Sequence, residues 1–363
     1  MAYGVVNADK MTTSDGVSSS GLYGFKNRII NGAMVIDQRN AGASVSPNTS
    51  VDVFPCDRFA VQASQNSKCT AQQVTTAPTG FKNSLKITSS SAYSVGVNDY
   101  FDIYQKIEGY NVADMAFGTA SAVTFTLSFW VQSSLTGTFG GSVYNNAFNR
   151  SYPFSYTISS ANTWEYKTVT ITGDTSGTWT TDNTCGLGVG FGLGVGTNYS
   201  GTAGAWTGSG KFSATGAVSV VGTSGATFYI TGVQLEKGST ATSFDYRPYG
   251  TELQLCQRYF ETSMSVAPAD NMSVASTGVY AIASSAATPL LTIQFKVTKR
   301  ADPTVTYYAP LTTSPSGKFR EDATGTIRTA TGGGATNWGA IIGVTSGTSS
   351  VAYQFGYQAS AEL

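Results

Sequence analysis

Val123-Thr124-Phe125-Thr126-Leu127-Ser128-Phe129-Trp130-Val131 carries an apolar side chain at every odd position and a hydroxyl at every even one except Trp130. Successive side chains of a strand point to opposite faces, so this stretch reads as a half-buried antiparallel strand. Val123, Phe125, Leu127, Phe129 and Val131 form its core face. Shorter alternations occur at Phe59, Val61 and Ala63, at Val169 and Ile171, and through Leu291-Thr-Ile-Gln-Phe-Lys-Val-Thr298. Val305 and Tyr307 continue the pattern, and Tyr353, Phe355 and Tyr357 share one face. Around Gly232 the apolar parity flips from Phe228 and Ile230 to Val233 and Leu235, which predicts a β-bulge. Short strands separated by Gly, Ser, Asn and Asp turns predict an all-β chain of the sandwich or jelly-roll kind.

Residues 186–196 read Gly-Leu-Gly-Val-Gly-Phe-Gly-Leu-Gly-Val-Gly. A dinucleotide fingerprint needs a strand before it, a helix after it and a distant acid for the ribose; with none of these in view, no nucleotide site is expected. Alternation instead places Leu187, Val189, Phe191, Leu193 and Val195 on one face of a strand and bare backbone on the other. The bare face requires something packed closely on it, either a neighbouring sheet or a second copy of the chain. A helix of about three turns is predicted over Thr251–Glu261, after the turn Arg247-Pro248-Tyr249-Gly250.

The chain therefore divides into an extended Ser/Thr/Gly-rich N-terminal arm (1–28), a jelly-roll domain (29–248), a helical connector (249–261) and a second, smaller β-sandwich domain (262–363). Composition narrows what these parts do. The 363 residues hold 21 basic and 21 acidic side chains and no histidine. Without a basic block, counterion-release binding to nucleic acid has no footprint. Without imidazole, Ser-His-Asp, Cys-His and H-E-x-x-H chemistry are excluded for this chain alone, leaving only carboxylate chemistry such as glycoside cleavage. The apolar runs are far shorter than a membrane span, and MAYGVVNADK lacks the order of a signal peptide, so a soluble protein outside the general secretory route is expected. Cys56, Cys69, Cys185 and Cys256 are too scattered for a zinc set and read as buried thiols, with a Cys56–Cys69 bridge as the alternative.

Asn27-Arg-Ile-Ile-Asn-Gly-Ala-Met-Val-Ile-Asp-Gln-Arg-Asn-Ala-Gly42 resembles the opening of many bacteriophage tail-fibre and related virion proteins. Thr231-Gly-Val-Gln-Leu-Glu-Lys-Gly-Ser-Thr-Ala-Thr-Ser-Phe-Asp-Tyr-Arg-Pro-Tyr-Gly-Thr-Glu-Leu-Gln-Leu-Cys-Gln-Arg-Tyr-Phe260 is similar to their module end and following helix, while Pro78–Thr88 and Tyr104–Glu108 resemble strands of carbohydrate-binding-like jelly rolls. The resemblance, over residues 24–261, implies a virion component, usually a homotrimer. Its arm would dock on another virion protein, of tail or capsid, and its distal β-domain would contact the host surface, with a cell-surface glycan as partner. No extended repeat or heptad makes a shaft, which points to a short fibre or appendage; a capsid-surface head fibre and a carboxylate-based polysaccharide depolymerase are the alternatives. Localisation in the virion follows from the same resemblance.

Trp179, Tyr199 and Trp206 stand in polar, glycine-rich stretches and are the candidate sugar-stacking residues; Trp130 and Trp164, in strand contexts, read as packing residues. The acidic groups Asp99, Asp102 and Glu108, and Glu165 with Asp174, lack the spacing of a calcium loop and read as surface acids. No catalytic residue, metal or cofactor is expected, and the chain is read as a non-enzyme. Arg247 is expected to pair with a carboxylate and lock the chain's exit from the sandwich.

Overall fold

The structure, a computed structural model, describes residues 25–265, 267–282, 290–331, 333–344 and 352–363; most of the expected arm, residues 1–24, lies outside them. The first unit is built from β1 (Val53–Cys56), β2 (Phe59–Ala63), β3 (Cys69–Val74), β4 (Ser84–Ser89), β5 (Tyr100–Glu108), β6 (Phe125–Ser133) and β7 (Gly137–Tyr144). It continues with β8 (Ser151–Ile158), β9 (Glu165–Ile171), β10 (Cys185–Val195), the two-residue β11 (Ser200–Gly201) and β12 (Ser213–Ala214), and β13 (Thr227–Lys237). Two antiparallel sheets result, one in the order β1-β2-β5-β10-β7-β8 and the other β3-β4-β13-β6-β9. The chain crosses repeatedly from one sheet to the other, as a jelly roll does.

The odd residues of β6 from Phe125 to Val131 all point into the space between the sheets, facing Leu187, Val189, Phe191 and Leu193 of β10. Phe129 meets Phe191 and Tyr156 edge to face at centroid distances of 5.0 and 4.9 Å. Each such pair adds about 0.5–1.5 kcal/mol beyond the area it buries. The register of β13 on β6 shifts between Thr231 and Gln234, where Gly232 adopts φ +62. This is the bulge that the flipped parity predicts.

The bare face of β10 is covered from within the chain, by the Tyr144 ring of β7, by Asp102 of β5 and by Ser213 of β12, which with β11 forms a small two-stranded sheet, the neighbouring-sheet alternative of the two expected. A Cβ at Gly188 would lie 2.2 Å from Tyr144 Cε2, one at Gly190 3.2 Å from Asp102 Oδ2, and one at Gly192 2.6 Å from Ser213 Oγ. Glycine is needed here because the Tyr144 ring lies directly on the backbone.

Residues 27–36 close one end of the sandwich. The Asn27 side chain donates to Val233 O and accepts from Leu235 N, the Arg28 amide donates to Leu235 O, and Ile29 and Met34 join the main core. Beyond β13 the chain turns into α1 (Tyr249–Gln257), whose Cys256, with the following Tyr259, packs on Ile30 and Ile36. The four cysteines are buried and free.

The second unit comprises β14 (Phe260–Thr262), β15 (Val279–Ile282), β16 (Leu290–Gln294), β17 (Thr304–Tyr308), β18 (Lys318–Glu321), β19 (Ile327–Thr331), β20 (Ala335–Thr336), β21 (Gly339–Val344) and β22 (Ala352–Ser360). Its sheet runs β14-β22-β18-β19-β21-β16, with β15 and β17 also pairing β22. Leu291, Ile293, Phe319, Tyr353, Phe355 and Tyr357 form its own core. The buried Lys299 Nζ donates to Glu261 Oε2 at 2.6 Å, and Tyr357 OH donates to Glu261 Oε1 at 2.6 Å.

The two units are joined by ions. Glu108 of β5 accepts from Arg258 Nε and Nη2 at 2.9 and 2.6 Å and from Tyr259 OH at 2.9 Å. The carboxylate of Glu362, past β22, pairs with Arg58 and, at 2.8 Å, with Arg39. Arg58 lies flat on the Tyr259 ring and Arg39 on the Phe260 ring, each 3.6 Å from the centroid. Arg300 donates to Ala361 O and Glu362 O on one side and to Asn183 O of the jelly roll on the other. Removing one member of a buried pair leaves its partner charged and unmatched, at a cost of about 3–5 kcal/mol. Glu362→Ala is therefore expected to lower the urea midpoint and to separate the unfolding of the second unit from that of the jelly roll; a single, unshifted transition contradicts the ionic clamp.

Candidate functional site

On the outward face of the five-stranded sheet, the even positions of β6 and β9 place Trp130 and Tyr166 directly opposite each other, with ring centroids 5.4 Å apart. Across from this pair stand Phe81, from the loop before β4, and Phe244 and Tyr246, from the segment after β13; these three rings lie 4.8–5.4 Å from one another. Tyr246 holds this wall by donating its hydroxyl to Gly80 O. Gly232, the bulge residue, lies between the walls. A Cβ there would stand 2.7 Å from Phe81 Cζ and 3.0 Å from Trp130 Cδ1, so glycine serves both the positive φ and the closeness of the rings.

The result is an open groove of about 510 Å³ lined by these rings together with Thr79, Ser128, Thr242 and Ser243. Tyr166 and Tyr246 remain 43% and 56% exposed, so their faces are open to a ligand. None of the lining side chains is charged. Below the surface, Glu236 accepts from Thr242 N and Oγ1 at 2.9 and 2.6 Å and so holds the 242–244 segment in place. Rings offering flat apolar faces beside hydroxyl groups suit a ligand with C–H faces and hydroxyl edges, and discriminate against a charged one.

The residues singled out from the sequence lie elsewhere. Trp179 and Trp206 come together with centroids 5.5 Å apart, joined by Phe117 and Tyr152. Both are half-buried against the main core, and their indole N–H groups already donate to Ser176 O and Thr172 O. Tyr199 belongs to a separate cluster with Tyr100 and Phe212 on the outward face of the six-stranded sheet. Trp130, read from its strand context as a packing residue, is half-exposed and lines the groove. Its even position, opposite in parity to the core face, was the available signal. Phe81, Phe244 and Tyr246 lie in loops and carried none.

The acids are spread among separate tasks. Asp99 accepts from Ser64, Gln65, Tyr93 and the Gly96 amide, which together hold its carboxyl below the usual range despite some desolvation. Asp174 takes a bidentate pair from Arg150, and Glu165 pairs with Lys167. Asp102 differs from these. It is fully buried beneath Tyr144 on the glycine face of β10, and neither oxygen has a well-formed hydrogen bond among the described residues. Burial pushes its carboxyl up to about 8, with the Asp52 charge adding to the rise and Gln62 and Lys106 opposing it. No group of three or more metal-ligating side chains occurs among the described residues.

The chain matches no protein-family model and none of the curated proteins. Part of the chain is similar to several solved structures. One is the enzymatically active domain of tailspike protein 4 of bacteriophage CBA120, at 13% identity over 59% of this chain and 22% of that one, with a TM-score of 0.29. A second is the family 11 carbohydrate-binding module of Clostridium thermocellum in complex with a mixed-linked tetrasaccharide, at 13% identity over 56% and 100%, TM-score 0.28. A third is TmCBM61 in complex with β-1,4-galactotriose, at 8% identity over 50% and 88%, TM-score 0.27. This chain thus spans about a fifth of the tailspike domain. Likenesses of this size do not carry an assignment; the strand order and register establish the jelly roll.

The buried Asp102 has a measurable consequence. Its carboxyl keeps its proton up to about pH 8 in the folded chain but releases it near 3.8 when exposed, so the folded state binds the extra proton between those values and stability falls as pH rises through them. Asp102→Asn, neutral at every pH, is expected to raise the melting temperature by several degrees near pH 8 and to lose that advantage towards pH 3.8. A gain of equal size at both ends would contradict the buried, protonated acid.

Proposed function

We propose that this chain is a non-enzymatic bacteriophage virion protein, a tail fibre or short appendage, whose jelly roll holds neutral host-surface glycan in the groove between Trp130–Tyr166 and Phe81–Phe244–Tyr246. The observation that carries the reading is five aromatic rings around an open, uncharged, hydroxyl-bearing groove on a sheet face that a solitary domain would be expected to make polar. Sugar rings stack on such faces, and the residues around the groove leave their hydroxyls polar partners. Host contact, expected from the sequence at the distal β-domain, is here assigned to the jelly roll. The groove is lined by no carboxylate, so the paired acids that cleave a glycosidic bond have no counterpart there.

The virion assignment rests on the resemblance of Asn27–Gly42 and Thr231–Phe260. A homotrimer of the kind that resemblance implies would present several grooves to one surface, and linked weak sites gain avidity by 10²–10⁴-fold, as an order of magnitude. The arm would dock on another virion protein.

Two experiments test these halves separately. Trp130→Ala combined with Tyr166→Ala is expected to weaken retention on host polysaccharide by about tenfold or more, at about 0.5–1.5 kcal/mol per lost stacking ring, while the melting temperature stays near that of the unaltered protein. Unchanged retention overturns the groove. Because Asn27 and Arg28 hydrogen-bond into β13, the informative truncation ends at residue 24. It is expected to leave a folded body that no longer enters phage particles, and particles containing the truncated chain would overturn the arm.

A further inference from the structure

Ser128 lies in the floor of the groove and is only 2% exposed. It stands on the outward face of β6, two residues before Trp130 and opposite Gln234 of β13. The other hydroxyls of the groove are engaged or lie in open water: Thr242 Oγ1 donates to Glu236 Oε2 and Tyr246 OH to Gly80 O, while Thr79 and Ser243 are exposed. Ser128 Oγ has no hydrogen bond among the described residues. It is nonetheless reachable. Gln132 Oε1, on the same face of β6, is unpaired and sealed from solvent, whereas Ser128 Oγ is not sealed. The indole N–H of Trp130 is in the same condition as Ser128, unlike those of Trp179 and Trp206, which donate to backbone oxygens.

The walls decide how a ring can meet that hydroxyl. Over Gly232 they converge: a Cβ there would stand 2.7 Å from Phe81 Cζ and 3.0 Å from Trp130 Cδ1, leaving less than the roughly 7–8 Å that two carbon contacts of about 3.5–4.0 Å require. A ring cannot stack between the walls at that point and must sit beside it, over Ser128. Held by its two faces, it turns an edge to the floor. Equatorial hydroxyls radiate from the edge of a pyranose, whereas axial ones point along the ring normal, here into an aromatic wall. An occupant with no hydroxyl at the downward edge displaces water from Ser128 Oγ and from the Trp130 N–H without replacing its hydrogen bonds, and so leaves buried polar groups unpaired.

We infer that Ser128 is the specificity-determining residue of the groove, pairing with an equatorial hydroxyl on the downward edge of a neutral pyranose clamped between the two aromatic walls. The inference rests on the glycan reading of the groove and adds which sugars it selects. The rings supply affinity for any sugar with apolar faces, and the floor hydroxyl discriminates among epimers.

The test titrates the full chain with three β-1,4-linked probes: cellohexaose, mannohexaose and xylohexaose. Relative to glucose, a mannose unit turns its 2-hydroxyl axial, which alters one edge of the ring, and a xylose unit lacks the hydroxymethyl group on the other. Cellohexaose is expected to bind about tenfold more tightly than at least one of the other two, the scale of leaving one buried polar group unpaired. Ser128→Ala is expected to bring cellohexaose down to the level of that weaker probe with the melting temperature unchanged, since the hydroxyl has no partner in the free chain, whereas Trp130→Ala weakens all three probes alike; melting curves identify a variant that fails to fold. Equal binding of the three, a preference for mannohexaose or xylohexaose over cellohexaose, or a preference that survives Ser128→Ala overturns the role of Ser128 while leaving the groove standing. Failure of every probe to bind the unaltered protein overturns both.

Discussion

The junction around Glu362 is the constraint on which the arrangement of the whole chain depends. This is a sequence with few charges, and several of its arginines and carboxylates meet there: Arg58 and Arg39 on Glu362, Arg258 on Glu108, and Arg300 spanning Asn183 and the last strand's exit. Buried ions are costly to desolvate, and such a cluster contributes less net stability than an apolar interface of the same area. What it supplies is geometry. A bidentate guanidinium–carboxylate pair and a guanidinium stacked on an aromatic ring each hold only over a narrow range of angles, so the second unit is held in one orientation on the jelly roll.

Within the jelly roll the two outward sheet faces are finished in opposite ways. On the six-stranded sheet the glycine face of β10 is sealed by Tyr144, Ser213 and a buried Asp102, an acid retained at some cost to stability above the usual carboxylate range. On the five-stranded sheet a single glycine at the bulge separates two aromatic walls and leaves the space between them open. The same residue type closes one face and opens the other, because what matters is whether a ring lies on the glycine or on either side of it.

Strand parity made most of the β-architecture legible before any coordinates. The core face of β6, the apolar face of β10, the bulge at Gly232 and the shared face of Tyr353, Phe355 and Tyr357 all follow from a period of two, since a one-residue slip would expose each of these sets to water. The locking role of Arg247 was legible too: it pairs with Glu252 and holds Asn27 and Ile29. The groove was legible only in part. The even position of Trp130, opposite in parity to the core face of β6, was the one signal, but its strand context reads as packing, and the polar, glycine-rich stretches around Trp179, Tyr199 and Trp206 read as the sugar-stacking site instead.

The sequence alone determined the fold class, the inward face of each well-patterned strand and the classes of catalysis closed to a chain without histidine, because these depend on local periodicity and on which functional groups exist at all. Only the tertiary structure decided that Phe81 comes from one loop and Phe244 and Tyr246 from another to face Trp130, that the glycine face is covered by the chain's own tyrosine, and that Arg247 ties Glu252 to the backbone at Asn27 and Ile29. Those outcomes depend on pairings between residues far apart in the chain, and such pairings are set by sheet order and loop closure, which no local pattern encodes.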